Sequence, residues 1–301
     1  MTMQLPDLFP GFDEQLIDTS GATIHARIGG KGPPLLLLHG YPQTHVMWHR
    51  LAGDLAKRFT LIIPDLRGYG ASSCPQPDAE HFVYSKRAMA NDMVELMDAL
   101  GYGDFRVAGH DRGGRVAYRM ALDYPDKVNR LCVLDIVPTY DMWHGLDMNL
   151  AMNTYHWMFL AQPHPLPERL ISAAPDYYFT HTLASWTAEK TTAAFDGRAL
   201  RHYLAMAAEP ARIRALCEDY RAGATYDLRA DEEDRAAGKK ITCPVLAIWG
   251  ETGIAAKARS PLQNWTHWAD DVTGHAVASG HFVCEESPDS VLEKLVSFMR
   301  K

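Results

Sequence analysis

The chain predicts an α/β fold: a mostly parallel sheet of eight strands flanked by helices, with a helical insertion over one end. Three observations carry that expectation. Short apolar runs alternate with helix-spaced segments from residue 35 to residue 136, which is the pattern of β-α-β units. The alternation stops between residues 138 and 234 and resumes at Pro244. Within the first part, at Arg106-Val107-Ala108-Gly109-His110-Asp111-Arg112-Gly113-Gly114-Arg115, a strand runs straight into a helix through Gly-x-Asp-x-Gly. Small residues on both sides allow a sharp strand-to-helix turn that pushes the middle side chain, Asp111, out towards a substrate. A carboxylate in that place suits displacement of a leaving group from an alkyl carbon, with an alkyl ester as intermediate. The plainer alternative is a turn carrying a solvated acid.

Taken in order, residues 12–30 read as a strand pair turning at Thr19-Ser20-Gly21. Leu35 to Leu38 is a continuous apolar run, as expected of a strand buried on both faces. His39-Gly40-Tyr41-Pro42 then fixes a tight loop, with backbone N–H groups at the carboxyl end of the sheet beside the Asp111 turn. Leu61 to Pro64 is the next strand, and Asp65 to Ser72 is read as mainly structural, its glycines serving turn geometry. Ser85 caps a helix that runs to about Leu100 with Gly101 as its stop, and Met89, Met93, Leu96, Met97 and Leu100 form its core stripe. The Phe105–Ala108 strand, a helix from Arg112 to Tyr124 and a strand from Leu131 to Ile136 complete the first part. Asp135 stands near the end of that last strand.

From Pro138 to about Asp234 the chain is helix-like and dense in aromatics, which an inserted cap over the strand ends explains. Strands are expected again at Pro244–Gly250 and near Asp271–His275, then a histidine-bearing loop, Ser279-Gly280-His281-Phe282, and a helix from Pro288 to Met299. The expected boundaries are a core of residues 1–137 and 235–301 and a cap of residues 138–234.

Composition narrows the partners. Of 301 residues, 47% are apolar and 22% charged, ordinary for a soluble enzyme with a large core, and a net charge of −7 without a basic run argues against nucleic acid. The first residues, Met1 to Pro6, lack a basic segment followed by an apolar one, so no secretory signal is expected. The longest apolar run is far too short to cross a bilayer. Five cysteines without C-x-x-C spacing read as reduced thiols of a cytoplasmic protein, and neither a metal nor a cofactor is expected.

With His39-Gly40-Tyr41-Pro42, Asp111, Asp135 and Ser279-Gly280-His281-Phe282 in this order, the chain resembles the α/β-hydrolase superfamily along nearly its whole length. Among aspartate-nucleophile branches, Gly109-His110-Asp111-Arg112-Gly113-Gly114-Arg115 is most similar to the fluoroacetate (haloacetate) dehalogenases, and His156-Trp157 and Tyr220 match further positions. The resemblance implies that Asp111 expels halide from a haloacetate and that His281 activates water to hydrolyse the ester, giving glycolate from fluoroacetate. An acid must orient His281: Asp135 is preferred, with Glu251 second, because Trp249-Gly250-Glu251 lacks the aspartate that many relatives carry a few residues later. Backbone N–H groups of Tyr41 and Arg112 would form the oxyanion hole.

Arg112 and Arg115, in the first turn of the helix after the nucleophile, suit a bidentate clamp on a substrate carboxylate, unless Arg115 is a surface salt-bridge residue. His156, Trp157 and Tyr220 would supply three donors to the leaving halide, with lid-core packing as the alternative for the last two, and Trp186 would wall the pocket. The rival activity is epoxide hydrolysis with the same triad and two cap tyrosines, Tyr155 and Tyr220. A non-catalytic ligand-binding protein on this fold is the rival from another class. The expected partner is a small anionic substrate, and the resemblance implies a homodimer.

Overall fold

The computed structural model describes residues 5–258 and 260–301. Residues 1–4, part of the segment read as lacking a secretory signal, lie outside the described residues. Eight strands form one sheet: β1 (Asp13–Asp18), β2 (Thr23–Gly30), β3 (Pro34–Leu38), β4 (Thr60–Pro64), β5 (Phe105–His110), β6 (Val128–Leu134), β7 (Val245–Gly250) and β8 (Val272–Val277). Their spatial order is β1-β2-β4-β3-β5-β6-β7-β8. β1 and β2 pair antiparallel, as do β2 and β4, and every other pairing is parallel. The parallel strands run as near-continuous apolar segments because helices cover both faces. Leu35 to Leu38 in β3 are wholly buried, whereas Asp13–Asp18 at the sheet edge is largely exposed and polar.

The expected elements are present, with shifted ends. β6 stops at Leu134, so Asp135 lies just past the strand in a positive-φ conformation (φ 48°). The helix after β5 begins at Asp111 itself, one residue earlier than expected, and Asp111 also has positive φ (47°). Side chains other than glycine occupy this region at a cost of about 1–3 kcal/mol, asparagine and aspartate most readily. Ser85 caps Lys86–Ala99 by accepting from the Ala88 N–H at 3.1 Å.

Between β6 and β7, from Thr139 to Ala236, the described chain forms eight α-helices and one short 3-10 turn, without a strand. Helices Tyr155–Leu160, Pro175–Trp186 and Pro210–Ala224 bring aromatic rings onto the loops that follow β3 and β8. The carboxyl edge of the sheet, where a doubly covered α/β protein binds its ligands, is thus roofed by side chains of this insertion. No helix among the described residues is long and apolar enough to cross a membrane. All five cysteines are free thiols.

Candidate active site

Three loop ends meet at Asp111. One Asp111 oxygen, Oδ1, accepts the Tyr41 backbone N–H at 2.8 Å. The other, Oδ2, lies 3.8 Å from His281 Nε2. Gly40 makes the approach possible, since a Cβ there would fall 2.4 Å from the Asp111 Cβ. The Arg112 N–H, the second expected oxyanion donor, is in the first turn of the helix, where N–H groups have no intrahelical acceptor.

Geometry places Asp135, and not Glu251, against the histidine. Asp135 Oδ2 lies 2.6 Å from His281 Nδ1, while Glu251 is solvent-exposed. Two backbone donors hold the Asp135 carboxylate in turn: Gly250 N–H on Oδ1 at 3.1 Å and Ile254 N–H on Oδ2 at 2.9 Å. His281 Nδ1 therefore donates to Asp135, and Nε2, which has no hydrogen-bond partner among the described residues, faces Asp111. Burial pushes the His281 pKa down, but the hydrogen bond and charge of Asp135, followed by the charge of Asp111, outweigh it and leave the imidazole more basic than usual. Burial likewise raises the Asp111 carboxyl, and His281, His110 and the two arginines overcome it, so the acid stays ionised below its ordinary range.

The cap completes the enclosure. The His156 and Trp186 rings lie 4.3 Å apart between centroids, Trp186 meets the His281 ring edge-on at 5.4 Å, and Tyr41 meets Tyr220 at 5.2 Å. His156, Trp157, Trp186 and Tyr220 are all buried. Asp111 itself is only 5% exposed, so little of it reaches solvent. The Tyr220 hydroxyl and His156 Nδ1 have no hydrogen-bond partner among the described residues. Burial holds His156 neutral, its pKa lowered to about 3, and burial together with the Asp111 charge keeps the Tyr220 hydroxyl protonated.

The two arginines differ from the expected symmetrical fork. Arg112 spends Nε (3.0 Å) and Nη2 (2.5 Å) on Asp219 Oδ1, with Nη2 also 2.6 Å from the Asp219 carbonyl, and only Nη1 is unpartnered. Arg115 is no surface residue. It is buried, forms no ion pair among the described residues, and donates from Nη1 to Val137 O (2.9 Å) and Thr139 Oγ1 (3.2 Å). Its Nε is unpartnered, and its guanidinium carbon stands 4.5 Å from the Trp157 ring centroid. Burial and the neighbouring Arg112 charge depress the Arg115 pKa, yet an arginine so placed remains charged.

Two features escaped sequence reading. Asp219 is one, since nothing in Cys217–Gly223 marks which residue will meet Arg112. The other is a buried group, His25, His45 and Asp65, whose ligand-type atoms lie within 4.8 Å of one another. Asp65 is already surrounded by donors: the His45 and Ala71 N–H groups at 2.8 Å, and the His45 and His25 Nδ1 atoms at 2.9 and 3.1 Å. That arrangement ties the 65–72 segment to β2 and matches its structural reading.

Residues 33–288 match the family model described as the alpha/beta hydrolase fold. The chain belongs to the α/β-hydrolase family. It is 43% identical over 295 residues to a fluoroacetate dehalogenase from a Burkholderia species, covering 97% of this chain and 95% of that one. It is also 35% identical over 282 residues to a soluble epoxide hydrolase from Corynebacterium sp. (strain C12), covering 93% and 94%. Among solved structures, a candidate α/β hydrolase from Nostoc sp PCC 7120 superposes with a TM-score of 0.92 at 49% identity, over 95% of this hydrolase and 97% of that chain. The family relatives thus span two chemistries on one fold, and the fold does not choose between them.

Proposed function

We propose that this hydrolase removes halide from small haloacetates, converting fluoroacetate to glycolate and fluoride through a covalent ester on Asp111. The observation that carries the reading is a set of buried, unpartnered polar atoms around one nucleophile: Arg112 Nη1, Arg115 Nε, His156 Nδ1, Tyr220 Oη and His281 Nε2. Each would cost about 1–3 kcal/mol if nothing ever filled it. An anionic substrate with a halide leaving group fills them all: the carboxylate against the arginines, the halogen against the cap donors, and the water of the second step against His281.

In the first step Asp111 Oδ2 attacks the halogen-bearing carbon, the carbon–halogen bond breaks, and the halide leaves with its electron pair towards His156, Trp157 and Tyr220. Oδ1 stays on the Tyr41 N–H as the ester carbonyl. In the second step His281 Nε2 takes a proton from water, whose oxygen attacks the ester carbon, and the charge developing on Oδ1 falls between the Tyr41 and Arg112 N–H groups. Collapse breaks the bond from the ester carbon to Oδ2, and the departing glycolate oxygen takes the proton held by His281. The acid left on Asp111 gives up the remaining water proton to solvent, by way of His281, to restore the carboxylate. Forming the ester cancels the Asp111 charge, one of the causes that raise the His281 pKa, so more of the histidine is neutral when the base is needed.

Epoxide hydrolysis is the second reading, favoured by the 35% identical relative. It needs two phenols on the epoxide oxygen. Tyr155 is 41% exposed, and the Tyr41 and Tyr178 hydroxyls are bonded to each other at 3.2 Å, which leaves Tyr220 alone at the site. A neutral epoxide also gives Arg115 no counter-charge. Halide release from fluoroacetate and chloroacetate, measured beside diol formation from an aryl epoxide, decides between them. Fluoride release supports the whole reading, chloride release alone keeps the triad and the arginines but removes the fluoride pocket, and epoxide opening without halide overturns it.

A further inference from the structure

Arg112 and its surroundings ask why an arginine offered to a substrate should be neutralised in advance. Asp219 sits in the cap helix Pro210–Ala224, one residue before Tyr220, and is completely buried. Its carboxylate gathers donors from three places in the core. Arg112 binds Oδ1 from the helix of the nucleophile, and Lys86 Nζ binds the same oxygen from the helix Lys86–Ala99. The Tyr69 hydroxyl donates to Oδ2 at 2.7 Å from the turn after β4. Lys86 in turn lies 3.4 Å from Asp227 Oδ2, and its backbone N–H donates to Asp227 Oδ1 at 2.8 Å. The Arg112 guanidinium lies against the Tyr220 ring, 4.2 Å from its centroid, and close to Gly223, where a Cβ would come 3.0 Å from Nη2.

Three buried cations, Arg112, Arg115 and Lys86, thus share two buried acids of the cap, Asp219 and Asp227, and beside them stands Asp111, while Asp135 is taken up by His281 and Asp231 by Arg119. The cation left without an acid of its own is Arg115. We infer that Asp219 is a positioning and specificity-determining residue: it turns Arg112 so that a single nitrogen faces the substrate, and it cancels that arginine's charge so that the site accepts one carboxylate and rejects two. In this arrangement Arg115 carries the charge attraction and Arg112 the orientation. Because Asp219 and Tyr220 are consecutive, the same anchor also fixes where the halide-side hydroxyl points. The inference rests on the haloacetate reading for its substrate, and deepens it to small monocarboxylates.

The test compares acetate with oxalate, a dianion of similar size to a haloacetate, by titration calorimetry on the whole protein, so that the readout does not depend on turnover. Wild-type protein is expected to bind acetate at least about ten-fold more tightly than oxalate. Asp219→Asn uncovers a second cation and should move that ratio towards oxalate by about ten-fold. Lys86→Met removes a cation while leaving Asp219 in place and should move the ratio the other way, with weaker acetate binding. If Asp219→Asn fails to fold, because Arg112 and Lys86 lose their shared partner, the opposite shift in Lys86→Met carries the test alone. An unchanged ratio in a folded variant, shifts of the same sign in both variants, or no acetate binding by the wild type would overturn the inference. Chloride release from chloroacetate, assayed on the same wild-type sample, reports separately: its absence with the ratio behaving as expected would reject the dehalogenase reading and keep the monocarboxylate site.

Discussion

The two halves of the site use their polar atoms in opposite ways. On the sheet side, Asp111 and Asp135 are wired to backbone N–H groups and His281 Nδ1 to Asp135, all from strand ends and their loops. On the cap side, the Tyr220 hydroxyl and His156 Nδ1 end in no partner among the described residues, although both side chains are buried. The difference separates what must be in place before substrate arrives from what substrate itself completes. Groups that transfer protons or attack carbon need fixed geometry at every moment, so the fold anchors Asp111 Oδ1 and His281 Nδ1 internally and leaves the working atom, His281 Nε2, without a partner. On the proposed mechanism, donors for a leaving group have to be left free, and the fold tolerates the cost.

Mutations on the two sides should therefore part company in activity and stability. The largest effect is expected from His281→Asn, which removes the base: steady-state turnover falls by about 10³-fold, within the range for a general base. Halide should still appear as a burst of one equivalent, with the alkyl ester on Asp111 visible by mass spectrometry. A burst without any adduct on Asp111 would break the division of roles between the two residues.

Asp135→Asn comes next, at roughly 10²-fold or more in turnover. It should also cost about 1–3 kcal/mol in stability, because an amide cannot accept from His281 and both backbone donors as a carboxylate does. The pH profile gives a finer check. Asp135 is the chief cause raising the His281 pKa, and hydrolysis of the ester needs the neutral imidazole. Wild-type turnover should therefore rise with pH through the midpoint of the imidazole in the ester, which Asp135 holds up, and be lost below it. In the variant the midpoint moves to lower pH. A midpoint that stays put would remove Asp135 from the mechanism.

Tyr220→Phe should do the reverse in stability. Deleting a buried hydroxyl without a partner leaves the fold as stable or about 1 kcal/mol more stable, while fluoride release slows about 10-fold or more and chloride release slows less, chloride being the less demanding acceptor. A destabilised Tyr220→Phe in the absence of substrate would show that the hydroxyl serves the fold, and the contrast between the two halves would collapse.

What could be read from the sequence follows the same division. Asp111 was legible because the turn that presents it is written locally, in Gly109, Gly113 and the residues between. His281 was legible from its Gly-His loop after the last strand. Asp135 emerged only by elimination, since a positive-φ acid past a strand end leaves no motif, and Glu251 was excluded only once its exposure was known. Arg112 was legible as a buried-site arginine but not as the partner of Asp219, which lies 107 residues away in a helix whose placement depends on packing. Tyr155 fails for the same reason: helical spacing beside His156 does not say which of the two faces inward. The strands themselves are legible in the alternating segments, whereas their order in the sheet and the pairings across the insertion are tertiary choices that no short window encodes.

The backbone of His281 is itself bonded to the insertion. His281 N–H donates to Trp186 O at 2.8 Å, and Glu286 accepts from Ala188 N–H at 2.7 Å and from Gly280 N–H at 3.0 Å. The roof therefore cannot be treated as an interchangeable module. A chimera that imports another relative's residues 138–234 severs the seam that holds the histidine loop, and it needs residues 279–286 from the same donor to inherit a working base.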